Sequence, residues 1–177
     1  MTVGVTFYAE RALLRFVKQS LDAHPSDLPV EVACVCVLAS AAALEASVNS
    51  FFVNDGRLEH YDELTLLSKI ETLADWSKLA VNWGHRPWQD VKQLLRIRNW
   101  LAHFKDPYIG LARSLGGWVD DVANTPPKID PFVELSRSRI HRYREGTIAA
   151  IQALAKALYP TSSEELSLED GELFLVG

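Results

Sequence analysis

Residues 30–54, VEVACVCVLASAAALEASVNSFFVN, contain no proline and no lysine or arginine, and their only charges are Glu31 and Glu45. Pro29 suits the start of a helix, and nothing after it interrupts one. The run is apolar nearly all round as far as Leu44. A helix with no polar face must be surrounded by other elements, so this one belongs in the centre of a bundle.

The rest of the chain supplies the surroundings. Apolar residues at 3.6-residue spacing predict a first helix over about 7–23, with Leu13, Leu14, Val17 and Leu21 on one side, ending before HPSDLP. A third helix is expected over 61–76, with Leu64, Leu67, Ile70, Leu73 and Ala74 as its buried face. A fourth starts near Pro87 and runs through WQDVKQLLRIRNWLAHF until Asp106-Pro107 disfavours continuation. A fifth covers 132–159 and ends at Pro160. Residues 106–131 have little periodicity and read either as a lid or as a surface excursion with a short helix around 114–122. No alternating strand pattern or internal repeat is visible. With 177 residues, 48% of them hydrophobic, the expectation is all-α: a helical bundle of about five helices over 1–159, followed by an acidic tail over 160–177.

The sequence disfavours several classes of function. Cys34 and Cys36, the only cysteines, lie on opposite sides of a helix, so neither a disulfide nor a metal site is expected, and a reducing cytoplasmic location fits. The N-terminus lacks a basic segment followed by an apolar one, and the apolar run 32–44 is short for a bilayer, so a soluble protein without membrane contact is expected. His24, His60 and His85 fall in or beside predicted loops without metal-ligand spacing, so no metal and no cofactor is implied. Trp76, Trp83 and Trp88 are expected to pack around the connection between the third and fourth helices.

The net charge of -5 conceals an uneven distribution. Glu164, Glu165, Glu169, Asp170 and Glu172 lie in the tail, and without them 18 acids balance 18 lysines and arginines. Within that neutral body, RSRIHRYR at 137–144 gathers Arg137, Arg139, Arg142 and Arg144 around His141. These arginines read either as an RNA-binding patch or as the solvated face of a helix. The tail also carries Leu173, Phe174, Leu175 and Val176, which suit a free terminus or one that docks in a groove.

The chemistry concentrates in RIRNWLAHFK, at 96–105. At about 100° per residue, Leu94, Ile97, Leu101 and Phe104 share one sector of the fourth helix and must face the core. Arg98, Ala102, Leu95, Asn99 and His103 span the adjoining sector. The small Ala102 lets another backbone approach, most economically the same helix of a second copy across a two-fold axis. The resulting cleft would hold two arginines and two histidines. Histidine moves protons near neutral pH and arginine grips phosphate oxygens with a planar fork, a combination suited to phosphodiester cleavage. Glu45 and Asn49, one turn apart on the second helix, are candidate supporting residues; Glu45 either pairs with Arg98 or His103, forms a structural ion pair, or is simply exposed at the helix end.

Arg98-Asn99-Trp100-Leu101-Ala102-His103 resembles the R-N-x-x-x-H motif of the HEPN superfamily (higher eukaryotes and prokaryotes nucleotide-binding). The likeness extends over LLRIRNWLAHFK, AALEASVNSFF and LSKIETL, spanning about 30–105. It implies a bundle that forms a homodimer through the motif helices and, in active members, a metal-independent endoribonuclease of defence or toxin-antitoxin type, with or without a protein partner. Arg98, Asn99 and His103 would then be catalytic, and RNA the substrate. The alternative it implies is a non-catalytic protein- or nucleotide-binding module. Lys105 stands where the toxin branch paired with nucleotidyltransferase antitoxins carries tyrosine.

Overall fold

The computed structural model describes residues 9–54, 63–103 and 131–160. Among them are five helices of three turns or more, one single-turn helix and no strand. They are α1 (Ala9–Ala23), α2 (Val30–Asn54), α3 (Leu66–Ser77), α4 (Trp88–His103), the short α5 (Pro131–Glu134) and α6 (Arg137–Leu158). The expected excursion over 106–131 as far as residue 130, the expected helix at 114–122 and the acidic tail beyond 160 lie outside the described residues.

α2 takes the central place its composition demands, packing against α1, α3, α4 and α6. Its Ala33, Cys36, Val37, Ala43, Leu44 and Val48 are wholly buried. Burying a side chain the size of Leu44 stabilises the fold by roughly 1.5–3 kcal/mol, so this one helix anchors much of the core. It is also long and apolar enough to cross a membrane, with half of its most apolar window buried in the bundle. Burial raises the thiol pKa of both Cys34 and Cys36, with the charge of Glu31 adding to the effect at Cys34.

α6 shares the centre, touching every other helix. Small residues allow this. Gly146, Ala150 and Ala155 are buried on it, and a Cβ at Gly146 would stand 2.6 Å from the Cβ of Asp90 on α4. Phe52 and Trp76 meet edge to face at 5.0 Å, and Trp83 and Trp88 do so at 6.0 Å, so the tryptophans do close the α3–α4 connection.

Two expected helices begin elsewhere. α3 starts at Leu66 rather than near 61, because Thr65 takes an extended conformation as N-cap and its hydroxyl accepts the Ser68 amide at 3.2 Å. Leu64 therefore lies outside the helix and is 37% exposed, not part of a buried face. The expected fifth helix is two: Ser136 breaks it, extended at ψ 151°, its hydroxyl donating to the Val133 carbonyl at 2.7 Å. Serine offers the chain a local alternative to the helical ladder, which composition alone does not announce.

The α5–α6 corner is held by Glu134, which accepts the Tyr143 hydroxyl at 2.5 Å and the Gln93 amide at 2.7 Å. Burial, then the adjacent carboxylate, raises the Tyr143 pKa far above the usual phenol range. The unfolded phenol ionises near pH ~10. The folded state therefore keeps a proton that the unfolded state loses, and stability falls as pH rises through ~10 toward the folded value. Tyr143→Phe should lower the urea midpoint at pH 8 but show a smaller further drop at pH 10.5 than the wild type. Parallel losses in the two proteins would contradict this.

Candidate functional site

Helix α4 sets the geometry. Leu94 and Ile97 are fully buried, as their sector requires, and Leu101 is partly buried against the core. Leu95 is a correction: it was expected on the outward sector beside Ala102, yet it is only 8% exposed and belongs to the core of its own chain. Nearer its N-terminus, α4 has Trp88, Asp90, Val91 and Leu94 all buried, so neighbouring helices cover a wider arc there than one apolar stripe predicts. The cover ends one turn later. Arg98 is part-exposed, while Asn99 and Ala102 are exposed.

Arg98 and Asn99 are brought together directly: Arg98 Nη1 donates to Asn99 Oδ1 at 3.0 Å. The same guanidinium places Nη2 3.7 Å from Glu45 Oε2 on α2, with the two side chains 41% and 44% exposed. A pair so long and so solvated contributes at most about 1 kcal/mol, which leaves both ends free to exchange partners. His103 is the last helical residue of α4, five positions after Arg98. Asn49, the other supporting candidate, is engaged elsewhere: its Oδ1 accepts from Lys69 Nζ at 2.8 Å, tying α2 to α3.

The four arginines of α6 do not form one face. Arg137 and Arg144 lie within about 20° of each other, and Arg139 and Arg142 within about 60°, on a different side. Arg137 donates to the carbonyls of His24 and Leu21 at 2.9 and 3.3 Å, closing the C-terminal end of α1. Arg144, 9% exposed, donates to the Leu14 carbonyl at 3.3 Å and meets Glu145 at 2.6 Å. On the other side, Arg142 pairs with buried Asp90 at 2.7 Å and Arg139 lies 3.9 Å from Glu134. Each of these guanidinium groups thus serves packing within the chain.

Sequence reasoning missed Asp90. It lies at the floor of a cleft of about 530 Å3 lined by Arg86, Ser138, His141, Arg142, Glu145 and Gly146. Arg86 reaches its other oxygen at 3.2 Å, so each carboxylate oxygen of Asp90 has an arginine partner. The only available signal was an acid in the first turn of α4, which a helix N-terminus favours on its own account. Among the described residues no cluster of three His, Cys, Asp or Glu side chains is gathered to hold a metal.

No protein-family model matches the chain, and comparisons with curated proteins and with solved structures found no match either.

Proposed function

We propose that this chain is a HEPN-type, metal-independent endoribonuclease acting as a homodimer, with Arg98, Asn99 and His103 of both copies lining one cleft. The observation that carries the reading is the last stretch of α4, where Asn99 and Ala102 are exposed and a guanidinium already aligned by Asn99 at 3.0 Å precedes a histidine by five residues. In the reaction, a neutral His103 imidazole takes the proton of a ribose 2′-hydroxyl. The 2′-oxygen then attacks the adjacent phosphorus. Arg98 offsets the negative charge gathered on the phosphorane oxygens. The P–O5′ bond breaks as the departing oxygen receives a proton from a protonated His103 of the other copy. The products are a 2′,3′-cyclic phosphate and a 5′-hydroxyl, and no metal ion takes part.

One observation favours a second reading. The arginines at 137, 139, 142 and 144 are committed to contacts inside the chain, which weakens the electrostatic grip on a polyanion. A non-catalytic HEPN-like module that binds a protein or nucleotide needs no such grip.

The two separate in a single assay. Mixed RNA incubated with the protein in excess EDTA should be cut to fragments with 2′,3′-cyclic phosphate ends, and an oligonucleotide bearing 2′-deoxyribose at the cleavage position should stay intact. Intact RNA across several substrates would leave the binding module as the reading. Cutting of the deoxy substrate would exclude 2′-hydroxyl attack altogether.

A further inference from the structure

We infer that the cleft between α4 and α6, floored by Asp90, binds a phosphate monoester carried on a small soluble molecule. Asp90 is 5% exposed, and it holds two guanidinium groups by the same atom of each: Arg142 Nε stands 2.7 Å from Oδ1 and Arg86 Nε 3.2 Å from Oδ2. A grip through Nε leaves both terminal nitrogens of an arginine able to donate elsewhere. Among the described residues, no contact engages those nitrogens in Arg86 or Arg142. The buried carboxylate thus fixes two guanidinium groups beside one hollow of about 530 Å3 without exhausting their donors.

Charge and donor number select the ligand. Two guanidinium groups against one carboxylate leave a net positive charge, and Glu145, the other acid of the lining, already meets Arg144 at 2.6 Å. Ser138 and His141 also line the cleft and are exposed, adding a hydroxyl and an imidazole. Donors on four side chains suit the three terminal oxygens of a phosphate monoester better than the flat pair of a carboxylate. The volume falls within the range of small-molecule sites, about 300–1,000 Å3, so an organic body has room beside Pro87 and Ala149. This is a site for one dianion, not for a polyanion. It lies at the opposite end of α4 from His103 and goes beyond the ribonuclease reading.

Isothermal titration of the full chain at pH 8 tests the inference with phenyl phosphate, whose second ionisation near pH ~6 leaves it close to doubly charged. One molecule should bind per chain, inorganic phosphate should compete, and phenyl sulfate, similar in shape with one charge fewer, should bind more weakly by about 10-fold or more. Arg86→Gln should weaken phenyl phosphate by about 10-fold or more and keep its circular dichroism melt, because the Arg86 side chain is 62% exposed. Lys92→Gln, at an exposed position of α4 outside the cleft lining, should bind as the wild type does. Should Arg86→Gln not fold, Ser138→Ala combined with His141→Ala decides, with a loss of the same size expected at two exposed positions.

No saturable binding of phenyl phosphate, equal affinity for phenyl sulfate or equal weakening by Lys92→Gln would overturn the inference. Undiminished binding by Arg86→Gln would show that the two arginines only pin α4 to α6. Binding to vesicles containing phosphatidic acid, without binding of phenyl phosphate, would move the phosphate to a lipid and overturn the soluble ligand. RNA cleavage enters none of these measurements, so loss of the ribonuclease reading would leave their result standing.

Discussion

His103→Ala is expected to lower RNA cleavage by about 1,000-fold while leaving the mass and helix content of the protein unchanged. In the proposed mechanism one residue type acts twice, taking the proton of the 2′-hydroxyl in one copy and delivering one to the leaving oxygen in the other. His103 occupies the final position of α4. Arg98→Lys provides the comparison. It keeps the positive charge but loses the planar fork that Asn99 aligns at 3.0 Å, so a loss of roughly 10- to 100-fold is expected. Single-turnover cleavage of an end-labelled RNA in EDTA measures both. Undiminished cutting by His103→Ala would show that the proton transfers are done elsewhere, and the site assignment would fall.

Gly146→Val is expected to abolish cooperative folding, and Gly146→Ala to cost about 1–3 kcal/mol despite the better helix propensity of alanine. An added Cβ at Gly146 would stand 2.6 Å from the Asp90 Cβ. Asp90 cannot step aside, because it is 5% exposed and held by Arg142 at 2.7 Å and Arg86 at 3.2 Å. The helices α4 and α6 would have to separate, opening the core around Val91, Leu94 and Ile151. Urea denaturation followed by circular dichroism reads the loss. Asp90→Gly removes the colliding atom, so the double substitution Asp90→Gly with Gly146→Ala should lose less than the two single losses combined. A Gly146→Ala protein more stable than the wild type would show that the helices do not approach this closely.

Legibility in the sequence followed the range of the forces involved. The bounds of α2 were readable because they depend on neighbours in the chain: Pro29 before it and no breaker within it. The same holds for α1 and for the core sector of α4, where Leu94 and Ile97 are buried as their spacing requires. Thr65 and Ser136 are also local signals, but each hydroxyl can serve a helix end or lie within the helix, and only the observed backbone chooses between these roles. For the proposed site, the sequence supplied the candidates Arg98, Asn99 and His103, and its suggestion that Glu45 meets Arg98 matches a 3.7 Å approach.

Periodicity gives the angle of a side chain about its own helix axis. It does not say which neighbouring helix covers that angle, or for how many turns. That is why the chain alone determined an all-helical bundle around residues 30–54, whereas the tertiary structure decided that Leu95 faces inward, that Asp90 meets Arg142, and that the 137–144 arginines divide between two sides of α6. Contacts between residues about 50 positions apart depend on the offset between two helices along their length. That offset is set by packing, here by the absence of a side chain at Gly146.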